Sequence, residues 1–578
     1  MRPRHSFISA LPRLLVPGVI GFGSLTFAQS VDLLVREGEP VIGLGTIQTI
    51  QNLVINNNGG WLVLADTDAA PSRDYAVLRQ GFPAIGESDP VAAPQGATVG
   101  SLTNSNWRYD DTGNILWSFN IDGDDVTNLT NACLYWNTRL LARERQLVNA
   151  DSGNISPETF WKKFYSFDFA GPDRVIAICE LDDPMIQNAS DDAVAEIRID
   201  EFGFVLETHI LMVEGELFPV DLDPTDTDPM IFEGFAASTN FHFAAVNKHG
   251  DFIWGPETTV STNQGYMLIN FDTIVARMGQ VFSAPGNPDL DGRSLANFSL
   301  FEADINDFGD YFHTAGLNGS ANTPLADTNA ILMLNGEVYI QEGQSLASLN
   351  GATIGNTTNA PLYVSNSRDT YWVADLRNTL ASEDVAFMRN KEVILRKGQD
   401  FVDDFLVQEL RTAPNAISVS KDGRFWIGEV ILQGSLDAAL MIDFGLALER
   451  PGCFGNPGKM SVRSGKVIAG DQLRLNLDDG QAPGVTTLML ISGREPVGGD
   501  CGAMTPFGEL HAVAPYAFIG VGPTWVGPTA IFDLDIPNNI ALVDTTWYAQ
   551  AMFLDLGMTL PGEDIRLTNG MKLEIGAP

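Results

Sequence analysis

The sequence predicts an all-β protein: a seven-bladed β-propeller followed by a C-terminal β-sandwich. Three observations carry this. A short phrase recurs seven times at intervals averaging about 60 residues, and a sustained period of that length marks a repeat architecture. Each period also holds hairpin-type turns between short β-favouring runs, giving about four strands per unit. The two ends of the repeat region supply complementary parts of one unit. A ring needs that to close without an open sheet edge.

The phrase is an apolar run, a charged or amide pair, then Gly and often Gln or Glu. Its copies are Leu33–Glu39, Ala76–Gly81, Leu140–Gln146, Leu211–Glu216, Ile274–Gln280, Val338–Gln344 and Val393–Gln399, and the third has Arg145 where the others have Gly. After each copy an apolar strand enters a tight turn: Asn57–Gly60, Asp110–Gly113, Gly171–Arg174, Asn247–Gly250, Asn306–Gly309, Ser365–Arg368 and Ser420–Gly423. Asn, Asp and Gly dominate these turns because they tolerate positive φ. The outgoing strands, among them Trp61–Leu64, Ile115–Phe119 and Phe425–Ile427, are rich in strand-favouring types. A second hairpin precedes the phrase, turning at Asn137-Thr138, Asn335-Gly336 and Asn390-Lys391. The first phrase lacks that preceding strand, whereas Ala438–Asp443 supplies one with no full repeat after it. Closure therefore predicts Leu440 beside Leu34.

Residues 1–28 read as a secretory signal peptide. Arg2, Arg4 and Arg13 precede an apolar stretch, Leu14–Phe27, and Thr26-Phe27-Ala28 resembles a small-residue cleavage site. No later stretch is long enough to span a bilayer. The expectation is a secreted protein, extracellular or associated with the cell envelope, with no integral membrane segment once the signal is removed. The propeller is expected over residues 31–450. An immunoglobulin-like sandwich is expected over 452–578, where short strands such as Leu473–Leu477, Thr487–Ile491 and Trp547–Phe553 alternate with Gly and Pro breaks.

A formal net charge of −39 repels phosphate backbones and anionic lipid, so nucleic acid is not an expected partner. Four cysteines, Cys133, Cys179, Cys453 and Cys501, allow three connectivities in an oxidising compartment. Local pairing within each region is the expectation.

Familiar catalytic signatures are missing from the sequence. There is no Gly-x-Ser-x-Gly elbow, no His-Glu-x-x-His and no phosphate-binding loop. His209, His242, His249, His313 and His511 are scattered, and structural or solvent roles are expected for them. Catalytic residues and bound cofactors are therefore not assigned, with a calcium ion the one exception. Calcium takes six to eight oxygens from closely spaced carboxylates and carbonyls. The candidate loops hold Asp122 and Asp124; Asp221, Asp223, Asp226 and Asp228; Asp289 and Asp291; and Asp304 with Asp307. Glu37, Glu144, Glu214 and Glu342 recur at one repeat position, which points to a backbone or inter-blade contact. The recurrent Arg36, Arg79, Arg143, Arg277 and Arg396 are expected to neutralise nearby carboxylates. Trp61, Trp117, Trp254, Trp372 and Trp426 share a position after the turn and are expected in the core.

The ending Trp547-Tyr548-Ala549-Gln550, Asp555-Leu556-Gly557 and Leu567–Gly576 resembles the C-terminal module of many secreted proteins of planctomycete-type bacteria. The upstream repeats are similar to uncharacterised "REGE" repeat regions of such proteins. The resemblance implies an exported bacterial protein and transfers no catalytic residue. A non-enzymatic propeller that binds a protein or glycan ligand is the leading expectation. A carbohydrate-directed hydrolase or lyase using axial carboxylates is the alternative, and a calcium-dependent structural surface component is a third.

Overall fold

The middle strands of each repeat carry continuous apolar runs instead of alternating. Trp61–Thr67, Arg174–Asp182 and Thr370–Arg377 are buried almost throughout, so both of their faces must be covered. Stacking one sheet face-on to the next achieves that cover. The computed structural model describes residues 31–578 except 104, 129, 185–190, 220–229, 233–244, 257–265, 284–289, 297–301, 319–327, 358–360, 403, 451, 454, 466, 479–484, 497–500, 526–528, 544, 555–564 and 577–578. The signal segment 1–28 lies outside the described residues.

Seven antiparallel sheets follow one another between Val31 and Asp443. We number them as blades one to seven, beginning with the sheets that contain Trp61–Thr67, Ile115–Asp122, Arg174–Asp182, Phe252–Trp254, Tyr311–Asn318, Thr370–Arg377 and Phe425–Leu432. Seven apolar layers lie between them, each drawing its buried side chains from two successive blades. The layer between blades seven and one is made by Phe425, Ile427 and Ala439 packing with Val63 and Leu78. That layer exists because the ring closes. Val31–Arg36 pairs antiparallel with Leu436–Asp443, and Leu33 is in register with Leu440. The fold class read from the sequence is the one observed.

The recurring phrase is the end of each blade's outermost strand. Its Gly takes positive φ and donates its N–H to the next blade: Gly38 to Ile47 O, Gly215 to Phe232 O, Gly279 to Leu295 O, Gly343 to Ile354 O and Gly398 to Val407 O, all at 2.8–2.9 Å. Arg145 does the same toward Trp161 O with φ 64°. In blade one the joint is Ser88, φ 64°, bonded to Val99 O. The copy assigned to Ala76–Gly81 is therefore out of frame. Gln80 and Gly81, both with positive φ, form a two-residue hairpin turn, and Glu87-Ser88-Asp89 holds the phrase position. The final Gln, Glu or Asp folds back onto its own strand: Glu216 Oε2 accepts from Val213 N at 2.9 Å, and Asp89 Oδ2 from Gly86 N at 2.7 Å. The preceding Glu holds backbone too, since Glu144 Oε2 and Glu342 Oε2 each accept two N–H groups of the neighbouring strand's start.

Two short residues, Phe444 and Gly445, lead from the ring into the sandwich. Phe444 is fully buried against Tyr371 and under the Arg389 guanidinium. The sandwich packs a five-stranded sheet, with Leu446–Arg450, Ile565–Glu574, Thr546–Leu554, Val485–Ser492 and Phe518–Trp525 in that order, on a three-stranded one. Gln550 and Thr568 of the C-terminal motif are fully buried. Gln550 Nε2 donates to Glu509 O and Thr568 O at 2.8 Å, and its Oε1 accepts from His511 N.

Cys453 and Cys501 are disulfide-bonded, but Cys133 and Cys179 are free thiols. The expected Cys133–Cys179 pair is ruled out by where each faces. Cys133 packs in the layer between blades one and two, and Cys179 in the layer between blades two and three, so blade two stands between them. Burial pushes the Cys133 thiol up to about 12. Thiol titration of the unreduced chain should thus give no reaction when native and two thiols after denaturation. Substituting Leu440→Asp should cost at least about 3 kcal/mol, because it buries a charge at the closure. The urea midpoint measures that loss.

Candidate functional site

Strand direction alternates within a blade, so the seven sequence-predicted turns and the outer hairpins all emerge at one face of the ring. The turns are joined to one another. Asn57 N donates to Asp111 Oδ1 at 2.8 Å, Lys248 N to Asp307 Oδ1 at 2.9 Å, Asn306 Nδ2 to Ser365 O at 2.9 Å, and Asn366 N to Lys421 O at 2.7 Å. Asp422 N returns to Asn57 Oδ1 at 2.8 Å, linking the seventh turn to the first. Asn and Asp therefore serve twice here, in their own turn and across to a neighbour.

Inside this ring of turns, Lys421 of blade seven crosses the axial opening. Its Nζ lies 3.3 Å from Val246 O of blade four and 3.7 Å from Asp304 Oδ1 of blade five. Asp304 also accepts from Val364 N of blade six at 2.8 Å. Arg108 of blade two pairs with Asp168 of blade three at 3.5 Å. Packing inside the ring opposes the lysine charge, but Asp304, Asp168 and Asp307 outweigh it and hold the ammonium above the ordinary lysine range. Two of the axial acids thus each have a cation of their own. Glu302, on the same blade as Asp304, does not share that arrangement: burial alone raises its carboxyl to about 7.

A surface groove of about 590 Å³ opens on the turn-bearing face between blades one and two. Buried Ile115 and Trp117 form its floor, and Arg79, Gln80, Asn137 and Phe82 its walls. Trp117 Nε1 donates to Asn137 O, fixing the indole, and the Arg79 guanidinium lies 5.4 Å from the Tyr109 ring. Phe82 is 65 % exposed. Phe202, Phe204 and Phe308 are also exposed at hairpin or turn tips of this face, and Arg139 and Arg368 lie over Phe204 and Phe308.

Of the calcium candidates, Asp122, Asp124 and Asp291 are exposed. Asp221, Asp223, Asp226, Asp228 and Asp289 lie outside the described residues, as does His242. Asp304 and Asp307 are committed to the contacts above. Among the described residues no group of three or more His, Cys, Asp or Glu could hold a metal ion. The five recurrent tryptophans are all buried, as expected. The recurrent arginines meet the expectation in part, Arg396 lying close enough to Asp400 to favour its ionised form. Arg36 approaches a carboxylate, Glu39, at 3.9 Å, but Arg143 and Arg396 donate to the carbonyls of Thr130 and Glu383, because strand ends leave carbonyls to satisfy.

Ser152 Oγ is 2.8 Å from His209 Nδ1, and His209 Nε2 is 3.3 Å from Glu207 Oε2. This line sits on the exposed outer edge of blade three, where Asp151 and Ser152 hydrogen-bond along Val205–Val213. Arg198 also holds Glu207, at 3.1 Å. The arrangement covers a sheet edge.

No family model matches the chain, and no curated protein matches it. Solved structures that align with it include a puromycin hydrolase, at 12 % identity and TM-score 0.30 over 69 % of this chain and 52 % of that one. The chain thus spans about half the length of that hydrolase. Another is a Trypanosoma rangeli sialidase mutant displaying trans-sialidase activity, at 8 % identity and TM-score 0.26 over 95 % of each chain. A tetra-tandem repeat from the extending region of a large adhesion protein aligns at 9 % identity and TM-score 0.12, over 95 % of this chain and 99 % of that one. At these TM-scores the likenesses carry no argument about activity. Fold and site together define an all-β propeller with an appended sandwich, an axial set of ion-paired residues and a groove on the turn-bearing face. Among the described residues no helix is long and apolar enough to cross a membrane.

The raised Glu302 carboxyl has a definite pH signature. Its folded value lies above the ordinary 4.5, so its contribution to stability is complete below about pH 4.5 and is lost as pH rises through about 7. Substituting Glu302→Gln removes that loss. The variant should match the parent below about pH 4.5 and exceed it by about 1–2 kcal/mol above pH 8, after discounting for partial exposure. Paired urea titrations at the two pH values measure this.

Proposed function

We propose that this chain is an exported, non-enzymatic binding protein whose propeller presents its turn-bearing face to a protein or glycan ligand. One observation carries the reading. Lys421 spans the axial opening, where a hydrolase would need an accessible pair of acids, while the groove beside Phe82 is open to solvent. Its chemistry suits a sugar: an exposed aromatic edge, a buried indole floor, and amide and guanidinium groups that orient hydroxyls. Export is supported by the signal-like residues 1–28 and by the Cys453–Cys501 disulfide. The resemblance to exported planctomycete-type proteins is consistent with this reading. The ligand need not be held by calcium, but a calcium requirement enters the same test.

Screening the purified ectodomain on a glycan array, with calcium and with EDTA, tests the proposal. Binding should occur and should fall about tenfold in Phe82→Ala, the loss expected for one stacking contact of about 1.4 kcal/mol. Retained binding in that variant would move the site off this groove. Turnover of a bound glycan, abolished in Glu302→Gln, would replace the binding reading with the hydrolase one.

A further inference from the structure

The groove beside Phe82 is rich in hydrogen-bond donors and poor in acceptors, in a chain whose acids outnumber its bases 73 to 34. None of its lining residues is Asp or Glu, and Arg79 is the one ionised side chain among them. The Asn137 amide is already committed. Its Oδ1 accepts from Ile115 N at 2.8 Å, and its Nδ2 donates to Asn114 Oδ1 at 2.9 Å. Trp117 Nε1 is committed to Asn137 O. Among the described residues, the polar side chains left to a ligand are those of Arg79, Gln80 and Thr138, all three exposed. They offer a guanidinium, one amide and one hydroxyl.

The Arg79 guanidinium is held in place without being neutralised. It lies 5.4 Å from the centroid of the Tyr109 ring, and a Cβ on Gly113 would stand 2.8 Å from its Nη2. Stacking engages the flat face of the group and leaves the N–H donors in its plane available. Arg145, Arg174, Arg198 and Arg411 each pair with an Asp or Glu. Among the described residues Arg79 has no such partner, although the chain holds about two acids for every base.

We propose that the groove takes an acidic saccharide, whose carboxylate or sulfate oxygens accept from Arg79 while the sugar ring lies against Phe82. This rests on the reading of the groove as the ligand site and adds the chemistry of the ligand. A neutral sugar presents hydroxyls that donate as well as accept. Gln80 Oε1 and the Thr138 hydroxyl are the only uncommitted side-chain acceptors on the groove wall to meet them. An ionised acid group only accepts, which complements a wall of donors, and two of its oxygens match the guanidinium fork. The formal charge of −39 does not oppose this at contact. Beyond about 8 Å it is largely screened at physiological ionic strength, whereas a charge-assisted hydrogen bond acts at short range. Acidic surface elsewhere repels the same ligand, which confines it to the groove.

A glycan array tests this when each acidic member stands beside its neutral counterpart: uronic-acid oligosaccharides beside carboxyl-reduced ones, and sulfated beside desulfated ones. The acidic member should bind at least about tenfold tighter, and the kind of pair that shows the preference identifies the acid group. Arg79→Gln should abolish the preference, whereas Phe82→Ala should weaken both members of a pair. Arg139 carries the same charge on the same face, but it is stacked on Phe204 and lies outside the groove. Arg139→Gln should therefore leave the preference intact. Both arginines are exposed, and unchanged circular dichroism reports that the variants fold. Acidic and neutral members bound equally through Phe82 would overturn the acid assignment and keep the groove as the site. A preference that Arg139→Gln lowers as much as Arg79→Gln would overturn it as well, since charge anywhere on the face would then suffice. Absence of binding to any member, or binding that neither Phe82→Ala nor Arg79→Gln changes, would overturn the groove reading itself.

Discussion

One main-chain pairing holds the rest of the structure in place, the one between Val31–Arg36 and Leu436–Asp443. The strands it joins are some 400 residues apart in sequence, so no local propensity can form it. Six apolar layers can assemble between successive blades as the chain is laid down, but the seventh needs both ends. Without it, blade one exposes Val63 and Leu78, and blade seven exposes Ile427 and Ala439. Closing the ring covers these residues and pairs the otherwise open edge of Leu436–Asp443. The axial contacts depend on closure too, because Lys421 reaches blades four and five only if blade seven has come round to face them.

The architecture was legible in the sequence because a repeat displays its period whatever its blades do. All seven turns lie where Asn, Asp and Gly placed them, and the swap of ends was readable from an unmatched strand at each terminus. Two readings went astray for reasons of geometry. Ala76–Gly81 imitates the phrase because Gly also suits a hairpin turn, and only the strand register separates the two uses. Cys133 and Cys179 look like local partners along the chain, yet each faces the blade that precedes its own, so they enter different layers. Proximity in sequence says nothing about which layer a strand residue enters.

The site was far less legible. Lys421, Asp304, Arg108 and Asp168 come from four blades, and nothing in their local sequence distinguishes them from other turn and strand residues. Their common feature is position in the repeat, near the end of the innermost strand or in the turn after it. A structure-aware alignment of the seven units would have revealed that these positions converge on the axis. Phe82 had one available signal: an aromatic just after a hairpin turn, where blades two, four, five and six place Arg139, Thr273, Glu337 and Glu392.

The joints between blades are made by main-chain N–H groups, as Ser88 and Arg145 demonstrate where Gly would be expected. The donor itself is common to nearly every amino acid, so what favours Gly at the joint is its positive φ, which Ser88 and Arg145 also adopt. Outside that one position, mutation can rewrite the phrase unit by unit while the wheel keeps its spokes attached. The seven copies are free to diverge in wording, each acquiring its own loops and tips on the outer face, without any of them loosening from its neighbour.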